Sequence, residues 1–267
     1  MLSQINIMVG GEAGQGVQSV GFILARMLVR GGYQVFADQD YESRVRGGHN
    51  FFRIRAAEKP VTSFNDKIDI LIALNRESVD LHNGELSSNG IVVGDVALQP
   101  TTDEKSQLVN TEEVFKKTKD LKQMSNTVVL GFVTGLLGYD ISAAEEIIKN
   151  HFGGDAGVLN AEAARKGYEM ARGRSTPHLE FSSSSNKNLF INGNEAIAIG
   201  ALAAGCRFVS AYTMTPVTSI MEYMAGKVQE TWCVVFQPED EIAAINSVIG
   251  ASYAGVRSMT ATSGGGF

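Results

Sequence analysis

The sequence predicts an α/β protein made of two units, and three observations support that fold class. Short apolar segments alternate with amphipathic segments through most of the 267 residues, a pattern typical of a layered, mostly parallel sheet. Glycine-rich turns follow two of the apolar segments, as strand-to-helix connections often require. A serine-rich segment with little apolar content, residues 173–188, interrupts the alternation and indicates a linker.

The composition argues against several classes of function. The net charge of −6 disfavours non-specific nucleic-acid binding, and no apolar run is long enough to span a bilayer. The first residues, MLSQINIMVG, lack the basic start of a signal peptide. We therefore expect a cytoplasmic protein that binds neither nucleic acid nor membrane.

Cysteine and histidine usage predicts no metal site in this chain. Cys206 and Cys233 are far apart in the sequence and have apolar neighbours, so we expect buried thiols in a reducing compartment. Two cysteines cannot by themselves hold an iron–sulfur cluster. The four histidines show no ligand spacing.

The first unit is predicted to cover residues 1–172. Its predicted strands are INIMV, YQVFA, NFFRIRA, DILIAL and IVVGD. The stretch NFFRIR alternates between apolar and polar residues, so this strand is expected to be half exposed or antiparallel. The predicted helices span residues 15–30, 75–83, 112–119, 128–139, 142–150 and 160–172.

The turn GGEAGQG joins the first strand to the first helix, a layout that presents backbone N–H groups to an anion. A dinucleotide fingerprint needs a glycine where Ala13 stands. A Walker A loop needs Lys and then Ser or Thr after its second glycine, but Val17 and Gln18 follow Gly16. Phosphate binding and a merely tight turn both remain open.

Charged residues follow the second predicted strand. Asp38 and Asp40 stand where a dinucleotide enzyme places its ribose-binding acid. Arg44 and Arg46 then precede paired glycines, and arginines so placed are able to clamp phosphates bidentately. The alternative is a solvated basic loop whose glycines only shape the turn.

The second unit is predicted to cover residues 189–267. Its predicted helices span 194–205, 217–229 and 240–253, and its predicted strands are CRFVSAY, WCVVF and RSMTAT. Three strands form a thin sheet with an open edge. We therefore expect either a fragment of a longer protein or a sheet completed by a partner, with self-association or poor order of this unit alone.

Two motifs of the second unit could carry chemistry. Tyr212, Thr215 and Thr218 place hydroxyl groups at the carboxyl end of a predicted parallel strand, where α/β sheets bind ligands. Pro216 is expected at the first helical position, which would make Thr215 the N-cap. The strand end TATSGGG adds further hydroxyl and glycine groups at such an edge.

Three acids, Glu239, Asp240 and Glu241, crowd the start of the helix 240–253. Carboxylates at a helix N-terminus complement the macrodipole, which is the structural explanation of the cluster. A functional carboxylate is the alternative.

Taken together, these motifs resemble the fused gamma–alpha subunit of a 2-oxoacid:ferredoxin (or flavodoxin) oxidoreductase that lacks its carboxyl-terminal part. The stretches GGEAGQGVQSVGFILARML and SRVRGGHNFFRIR resemble the start and the Arg-Gly-Gly signature of the gamma domain. YTMTPVT resembles the Tyr-Pro-Ile-Thr-Pro-Ser-Ser motif of the alpha subunit. EDEIAAINSVIGASYAG and TATSGGGF resemble the helix and strand that follow in its pyrimidine-binding domain.

The resemblance implies oxidative decarboxylation of a 2-oxoacid, 2-oxoglutarate being favoured, with thiamine diphosphate and coenzyme A. It implies that Glu241 hydrogen-bonds the aminopyrimidine ring and promotes its imino tautomer, with Glu239 as the competing carboxylate. Thr215 would face the substrate carboxylate or the thiazole edge. Tyr212, Pro216 and Thr218 would line the substrate wall.

The same resemblance implies that coenzyme A phosphates bind at the first glycine turn. The residues implied are Gly11, Gly14, Gly16, Arg44 and Arg46. The diphosphate and magnesium site and the iron–sulfur clusters would belong to partner subunits, above all the beta subunit, in a homo- or hetero-oligomer. Ferredoxin or flavodoxin would accept the electrons, and this chain alone would be inactive.

The sequence departs from the family motif at two positions. Thr213 stands in place of the first proline of the motif, which is expected to relax the pocket. Val217 stands in place of its first serine, which removes a hydroxyl group from the same wall.

Two other functions stay open. A stand-alone NAD(P)- or nucleotide-binding module would use the glycine turn and Asp38, but would leave residues 189–267 without a role. A non-catalytic oligomerisation subunit would use the small-residue helix 242–255, but would leave the acid cluster idle.

Overall fold

The computed structural model describes residues 3–40, 48–98, 106–117, 124–174, 179–181 and 188–267. The chain is an α/β protein with two compact units, Met1–Phe190 and Ile191–Phe267. The predicted fold class is therefore confirmed. Arg44 and Arg46 lie outside the described residues.

The first unit contains a six-stranded sheet of order β2-β3-β1-β4-β5-β6. Strands β1, β4, β5 and β6 are parallel, and β3 runs antiparallel to both β1 and β2. The strands are β1 Gln4–Glu12, β2 Gln34–Asp40, β3 His49–Ala57, β4 Ile68–Ala73, β5 Leu86–Asp95 and β6 Ser106–Val109.

Strand β3 confirms the interpretation of the NFFRIR pattern. Phe52 and Ile54 are buried, whereas Phe51, Arg53 and Arg55 are half-buried on the opposite face. Strand β6 was not predicted, because its sequence SQLV is short and lacks a clear apolar alternation.

Helices cover both faces of this sheet. Because Ile7 and Val9 belong to one apolar cluster and Met8 to another, the two clusters lie on opposite faces of β1. Helices α1, α4, α5 and α6 contribute to the larger cluster, and α2 to the smaller. The helices are α1 Val17–Arg30, α2 Arg76–His82, α3 Thr111–Lys117, α4 Ser125–Leu137, α5 Ile141–Phe152 and α6 Gly154–Met170.

Helix α6 begins at Gly154 rather than at the predicted residue 160. Gly157, in the part of α6 that was not predicted, lies against the backbone of Lys149 in α5. A Cβ at position 157 would stand 2.8 Å from the Lys149 carbonyl oxygen. The glycine therefore permits close helix packing rather than ending the helix.

Part of the predicted linker packs against the first unit. Leu179 is buried in the larger apolar cluster, and the Phe181 ring contacts the rings of Tyr33 and Tyr139. The boundaries at residues 172 and 189 stay predictions.

The second unit contains a three-stranded parallel sheet of order β8-β7-β9. A small apolar core that includes Val209, Ile220 and Met224 packs beside it. The predicted helix 217–229 is divided into α8 and the short α9. The elements are α7 Gly193–Ala203, β7 Phe208–Ser210, α8 Thr218–Gly226, α9 Val228–Thr231, β8 Val234–Phe236, α10 Glu241–Tyr253 and β9 Ser258–Met259.

The prediction that Thr215 caps a helix starting at Pro216 is wrong. Helix α8 starts at Thr218, and its N-cap is Val217, which makes no side-chain capping bond. The Thr215–Pro216 peptide bond is cis. Residues 215–217 form a turn in which the N–H groups of Val217 and Thr218 both donate to the Met214 carbonyl, so the helix begins later.

Glycines hold α4 and α6 in close contact. A Cβ on Gly131 of α4 would overlap the Ala164 carbonyl oxygen, and a Cβ on Gly167 of α6 would overlap the Val128 carbonyl oxygen. The backbones of these helices therefore touch where any side chain would separate them.

We predict opposite effects for two Gly-to-Ala substitutions inside helices. Gly131→Ala should lower the free energy of unfolding by about 1–3 kcal/mol, because the new methyl group overlaps a backbone carbonyl. Gly200→Ala in α7 should raise it by roughly 0.5–1 kcal/mol, because alanine restricts the unfolded chain and, apart from the adjacent backbone of its own helix, no atom lies within 4 Å of the new methyl group. Calorimetric unfolding measures both, and a neutral Gly131→Ala would contradict the close packing.

Candidate functional site

The glycine turn between β1 and α1 is fixed by two side chains. The Gln15 Oε1 atom accepts the Glu12 N–H at 2.7 Å, and the Asn126 Nδ2 atom donates to the Gln15 carbonyl at 3.1 Å. Gly14 and Gly16 have φ values of 91° and 82°, a region that favours glycine. A Cβ on Gly16 would also overlap Asn126.

A first cleft of about 320 Å³ lies beside this turn. It is formed by the ends of β1 and β2, the start of β3 and the first turn of α1. Because β3 is antiparallel to both neighbours, β1 and β2 are parallel to each other, and their carboxyl ends meet here. The lining includes Gly14, Gly16, Gln18, Ser19, Asp40 and Asn50.

Of the two acids on β2, Asp38 and Asp40, only Asp40 lines the first cleft. Asp38 forms a bidentate ion pair with Arg53, at 3.0 Å from Nε and 2.7 Å from Nη2. Asp40 lines the cleft together with Glu12, and both carboxylates are exposed. Among the described lining residues none is basic.

The structure brings two of the predicted phosphate-binding residues to the first cleft, namely Gly14 and Gly16. Gly11 lies within β1 and is buried, with Val17, Gln15 and Leu74 around the position of a Cβ. Its role is packing in this structure, so it does not line the cleft.

A second cleft of about 270 Å³ lies on the other side of the same turn. It is formed by the carboxyl ends of β1, β4 and β5 and by the start of α4, and it is lined by Gln15, Leu74, Asp95 and Asn126 among others. Asp95 accepts the N–H groups of Ala97 and Thr111, at 2.7 and 3.1 Å. This cleft was not predicted from the sequence, because the order of strands in the sheet decides which strand ends meet.

A third cleft, of about 320 Å³, lies in the second unit. Tyr212 follows β7, Glu241 opens α10, and Thr260 and Thr262 follow β9, so all three segments leave the carboxyl edge of the sheet. Apolar side chains line part of this cleft, namely Ile242, Ala244, Ile245 and Ala261.

The three acids at the start of α10 have different positions. Asp240 is the N-cap, and its Oδ1 atom accepts the Ala243 N–H at 2.7 Å. Glu239 is exposed and is not among the lining residues of the third cleft. Glu241 is half-buried and lines that cleft, and its carboxylate has no hydrogen bond or ion pair to the described residues.

The turn after β9 packs closely against Glu241. A Cβ on Gly266 would overlap Thr262 Oγ1 and would stand 2.7 Å from Glu241 Cγ. Thr262 Oγ1 is itself buried and finds no hydrogen-bond partner in the described part of the chain. The sequence had indicated this strand end only as a hydroxyl-rich and glycine-rich edge.

Three other predicted residues, Thr215, Pro216 and Thr218, are not among the lining residues of the third cleft. Their segment is held by two hydrogen bonds to its backbone. Ser263 Oγ donates to the Thr215 carbonyl at 2.9 Å, and Asn194 Nδ2 donates to the Pro216 carbonyl at 2.8 Å. A role of these three residues in substrate binding stays a prediction.

Both units are α/β folds with clefts of a few hundred Å³ at the carboxyl edge of a sheet, the position at which α/β proteins commonly bind their ligands. Residues 6–170 match the family model of pyruvate ferredoxin/flavodoxin oxidoreductase. Residues 199–267 match the thiamine diphosphate-binding model of pyruvate flavodoxin/ferredoxin oxidoreductase. The chain belongs to the pyruvate ferredoxin/flavodoxin oxidoreductase family.

Some of the relatives match nearly the whole chain, and others match only a part of it. The chain is 28% identical to a 2-oxoacid:ferredoxin oxidoreductase alpha subunit from Sulfolobus sp over 99% of its own length and 50% of that protein. A 78-residue stretch is 55% identical to the 2-oxoglutarate synthase subunit KorA of Methanothermobacter thermautotrophicus, covering 29% of this chain and 21% of that protein. The chain spans about half the length of the full-length relatives it matches.

A solved structure also matches. A 2-oxoglutarate:ferredoxin oxidoreductase from Magnetococcus marinus, with 2-oxoglutarate, coenzyme A and succinyl-CoA bound, is similar with a TM-score of 0.82 and 28% identity. The match covers 100% of this chain and 48% of that one.

Membrane-spanning helices and metal-ligand clusters are both absent from the described residues. None of their helices combines the length and apolar character needed to cross a membrane. In the same part of the chain, no three His, Cys, Asp or Glu side chains are grouped to hold a metal ion.

The two cysteines are buried, as expected, at 3% and 0% exposure. Burial, followed by the neighbouring Cys206 thiol, raises the pKa of Cys233 to about 11. Both thiols belong to the small apolar core beside the three-stranded sheet. They therefore pack the fold, and neither lines the third cleft.

We predict that Cys233 does not react with iodoacetamide at pH 8 in the native chain. With a pKa of about 11, only about one thiol in a thousand is ionised at that pH, and burial also blocks the reagent. Labelling followed by peptide mass spectrometry should modify the residue in denaturant only. Modification of the folded chain within minutes would contradict the burial.

Proposed function

We propose that this chain is part of a 2-oxoacid:ferredoxin oxidoreductase and forms the pyrimidine-binding half of its active site. The reaction is the oxidative decarboxylation of a 2-oxoacid to its acyl-CoA, with electrons passed to ferredoxin. The observation that carries the proposal is Glu241, a half-buried carboxylate lining an otherwise largely apolar cleft. The names of the relatives support 2-oxoglutarate as the substrate.

The third cleft fits the aminopyrimidine ring of thiamine diphosphate. A flat heteroaromatic ring needs apolar walls together with hydrogen-bonding groups at its nitrogen atoms. Ile242, Ala244 and Ile245 offer such walls, while Glu241 and the buried Thr262 hydroxyl offer the polar groups. When bound, thiamine diphosphate supplies the electron sink for decarboxylation.

Glu241 is suited to share a proton with a ring nitrogen. Asp240 already caps α10, so the Glu241 carboxylate is not needed for capping. The first turn of a helix favours a carboxylate through the macrodipole, and partial burial strengthens any hydrogen bond that this carboxylate makes. Tyr212 lies in the lining of the same cleft and is the candidate for its substrate-facing wall.

The first cleft is the candidate site for coenzyme A phosphates. Gly16 is the N-cap of α1 and offers no side chain to its first-turn N–H groups, which leaves them available to an anion. The exposed carboxylates of Glu12 and Asp40 oppose an anion there. We therefore assign the compensating positive charge to Arg44 and Arg46, whose segment joins the two strands β2 and β3 that line the cleft.

The remaining parts of the reaction are assigned to other chains. We propose that a beta subunit supplies the diphosphate and magnesium site, and that partner subunits carry the iron–sulfur clusters. The relatives named alpha subunits belong to multisubunit oxidoreductases, which supports an assembly of this kind. On this proposal the complete assembly acts in the cytoplasm, with ferredoxin or flavodoxin as acceptor.

A nucleotide-binding module is the second candidate function. Asp40 at the end of β2 lines the first cleft beside the glycine turn, as a ribose-binding acid would. The hypothesis of a nucleotide-binding module predicts that the chain binds NAD, and it assigns no ligand to the third cleft.

We predict that Gln18→Glu weakens coenzyme A binding about threefold to tenfold at low salt. Gln18 is exposed in the first turn of α1 and lines the first cleft, so the new charge faces the phosphates. Isothermal titration with coenzyme A and, separately, with NAD measures the effect. Arg46→Ala should weaken coenzyme A binding in the same assay.

Ser142→Glu is the matched control for Gln18→Glu. It adds the same charge in the first turn of α5, where residue 142 is exposed and outside the first cleft, so binding should not change. Equal losses in both variants would indicate a general charge effect. NAD binding without coenzyme A binding would favour the nucleotide-binding module instead.

We predict that Glu241→Gln lowers the rate of 2-oxoacid decarboxylation by the assembled enzyme at least about a hundredfold, since an amide cannot share the proton. Glu239→Gln should retain nearly full activity, because Glu239 does not line the third cleft. Decarboxylation assays on the complex, with unfolding temperatures as a check on folding, separate the two acids. A larger loss in Glu239→Gln would reverse the assignment.

A further inference from the structure

The Thr262 hydroxyl is a buried polar group that the described residues leave unpaired. Its Oγ1 atom is buried and has no hydrogen-bond partner among the described residues. Buried hydroxyl groups are nearly always hydrogen-bonded, because leaving one unpaired destabilises the folded state. A group of this kind therefore calls for a partner beyond the described residues.

The surroundings of this hydroxyl point to a ligand. Thr262 lines the third cleft together with Glu241 and Gly266. Gly266 has no side chain at the point where a Cβ would overlap Thr262 Oγ1 and approach Glu241 Cγ to 2.7 Å. The hydroxyl and the Glu241 side chain thus pack against the same glycine, at one wall of the third cleft.

The neighbouring residue shows that the fold does use other hydroxyl groups in this segment. Ser263 Oγ donates to the Thr215 carbonyl at 2.9 Å, which ties the end of β9 to the segment before α8. Ser263 therefore makes the hydrogen bond that holds this turn to the neighbouring segment, and the Thr262 hydroxyl makes none to the described residues.

We propose that Thr262 hydrogen-bonds the ligand of the third cleft and sets the orientation of a heteroaromatic amine that Glu241 also binds. The inference rests on the proposed function of that cleft. A hydroxyl both donates and accepts, whereas a carboxylate only accepts. The carboxylate therefore selects a donor atom of the ring, and the hydroxyl holds a second polar atom of the same edge, so that together they fix which edge faces Glu241.

Three variants of the full chain test this role, namely Thr262→Val, Thr262→Ser and Ser263→Ala. Valine has the shape of threonine without the hydroxyl, and serine keeps the hydroxyl. The probe is 4-amino-5-hydroxymethyl-2-methylpyrimidine, the alcohol that carries the aminopyrimidine ring. NMR titration measures its dissociation constant for each variant. The second readout is the unfolding temperature without the probe.

Thr262→Val should weaken probe binding about threefold to tenfold, as the loss of one neutral hydrogen bond does. It should leave the unfolding temperature unchanged or raise it by about 2 °C, because an unpaired buried group is removed. Thr262→Ser should bind the probe within about twofold of the original chain. Ser263→Ala should lower the unfolding temperature and leave probe binding unchanged.

Two outcomes overturn the inference alone. In the first, Thr262→Val binds the probe as tightly as the original chain does. In the second, Thr262→Val lowers the unfolding temperature as much as Ser263→Ala does, which would show that the Thr262 hydroxyl has a hydrogen-bond partner within the protein. Failure of the original chain to bind the probe at millimolar concentration would instead overturn the proposed function of the third cleft, and the inference with it.

Discussion

The shapes of the first and third clefts depend on two glycines, Gly16 and Gly266. At each position the backbone lies so close to a polar side chain that a Cβ atom would overlap it. Gly16 packs against Asn126, which in turn bonds the carbonyl of Gln15 and fixes the turn after β1. Gly266 packs between Thr262 and Glu241. In each case the missing Cβ decides the position of a polar atom, so cleft shape follows from backbone approach as much as from the side chains.

Local sequence signals predicted much of the fold. The strand-turn-helix around Gly16 follows from a buried apolar run and a burst of glycines, and Asp240 is a typical helix cap. Strand β6 and the second cleft were not predicted, and the predicted start of α8 was wrong. Each depends on contacts between distant segments, such as Asp95 accepting the N–H of Thr111, and no local pattern records such contacts.

The same limit applies to the candidate sites. Sequence alone proposed both Glu239 and Glu241, since neighbouring acids at a helix start look alike. Only the placement of α10 beside β7 and β9 shows which carboxylate reaches the third cleft. Likewise, Asp38 and Asp40 lie on the same strand, but Arg53 pairs with the first and leaves the second at the first cleft.

The candidate ligand clefts of the two units differ in their electrostatic character. The first cleft combines helix N–H groups with the exposed carboxylates of Glu12 and Asp40, so in its described part it repels the anion that its turn would attract. Occupancy there must depend on added positive charge. The third cleft has one carboxylate, at Glu241, and one hydroxyl that is both buried and unpaired in the described residues, at Thr262, among partly apolar walls, so it favours a weakly charged ring with hydrogen-bonding edges. The Thr262 hydroxyl, unpaired in the described part of the chain, thus lies at the carboxyl edge of its sheet, where α/β proteins commonly bind ligands.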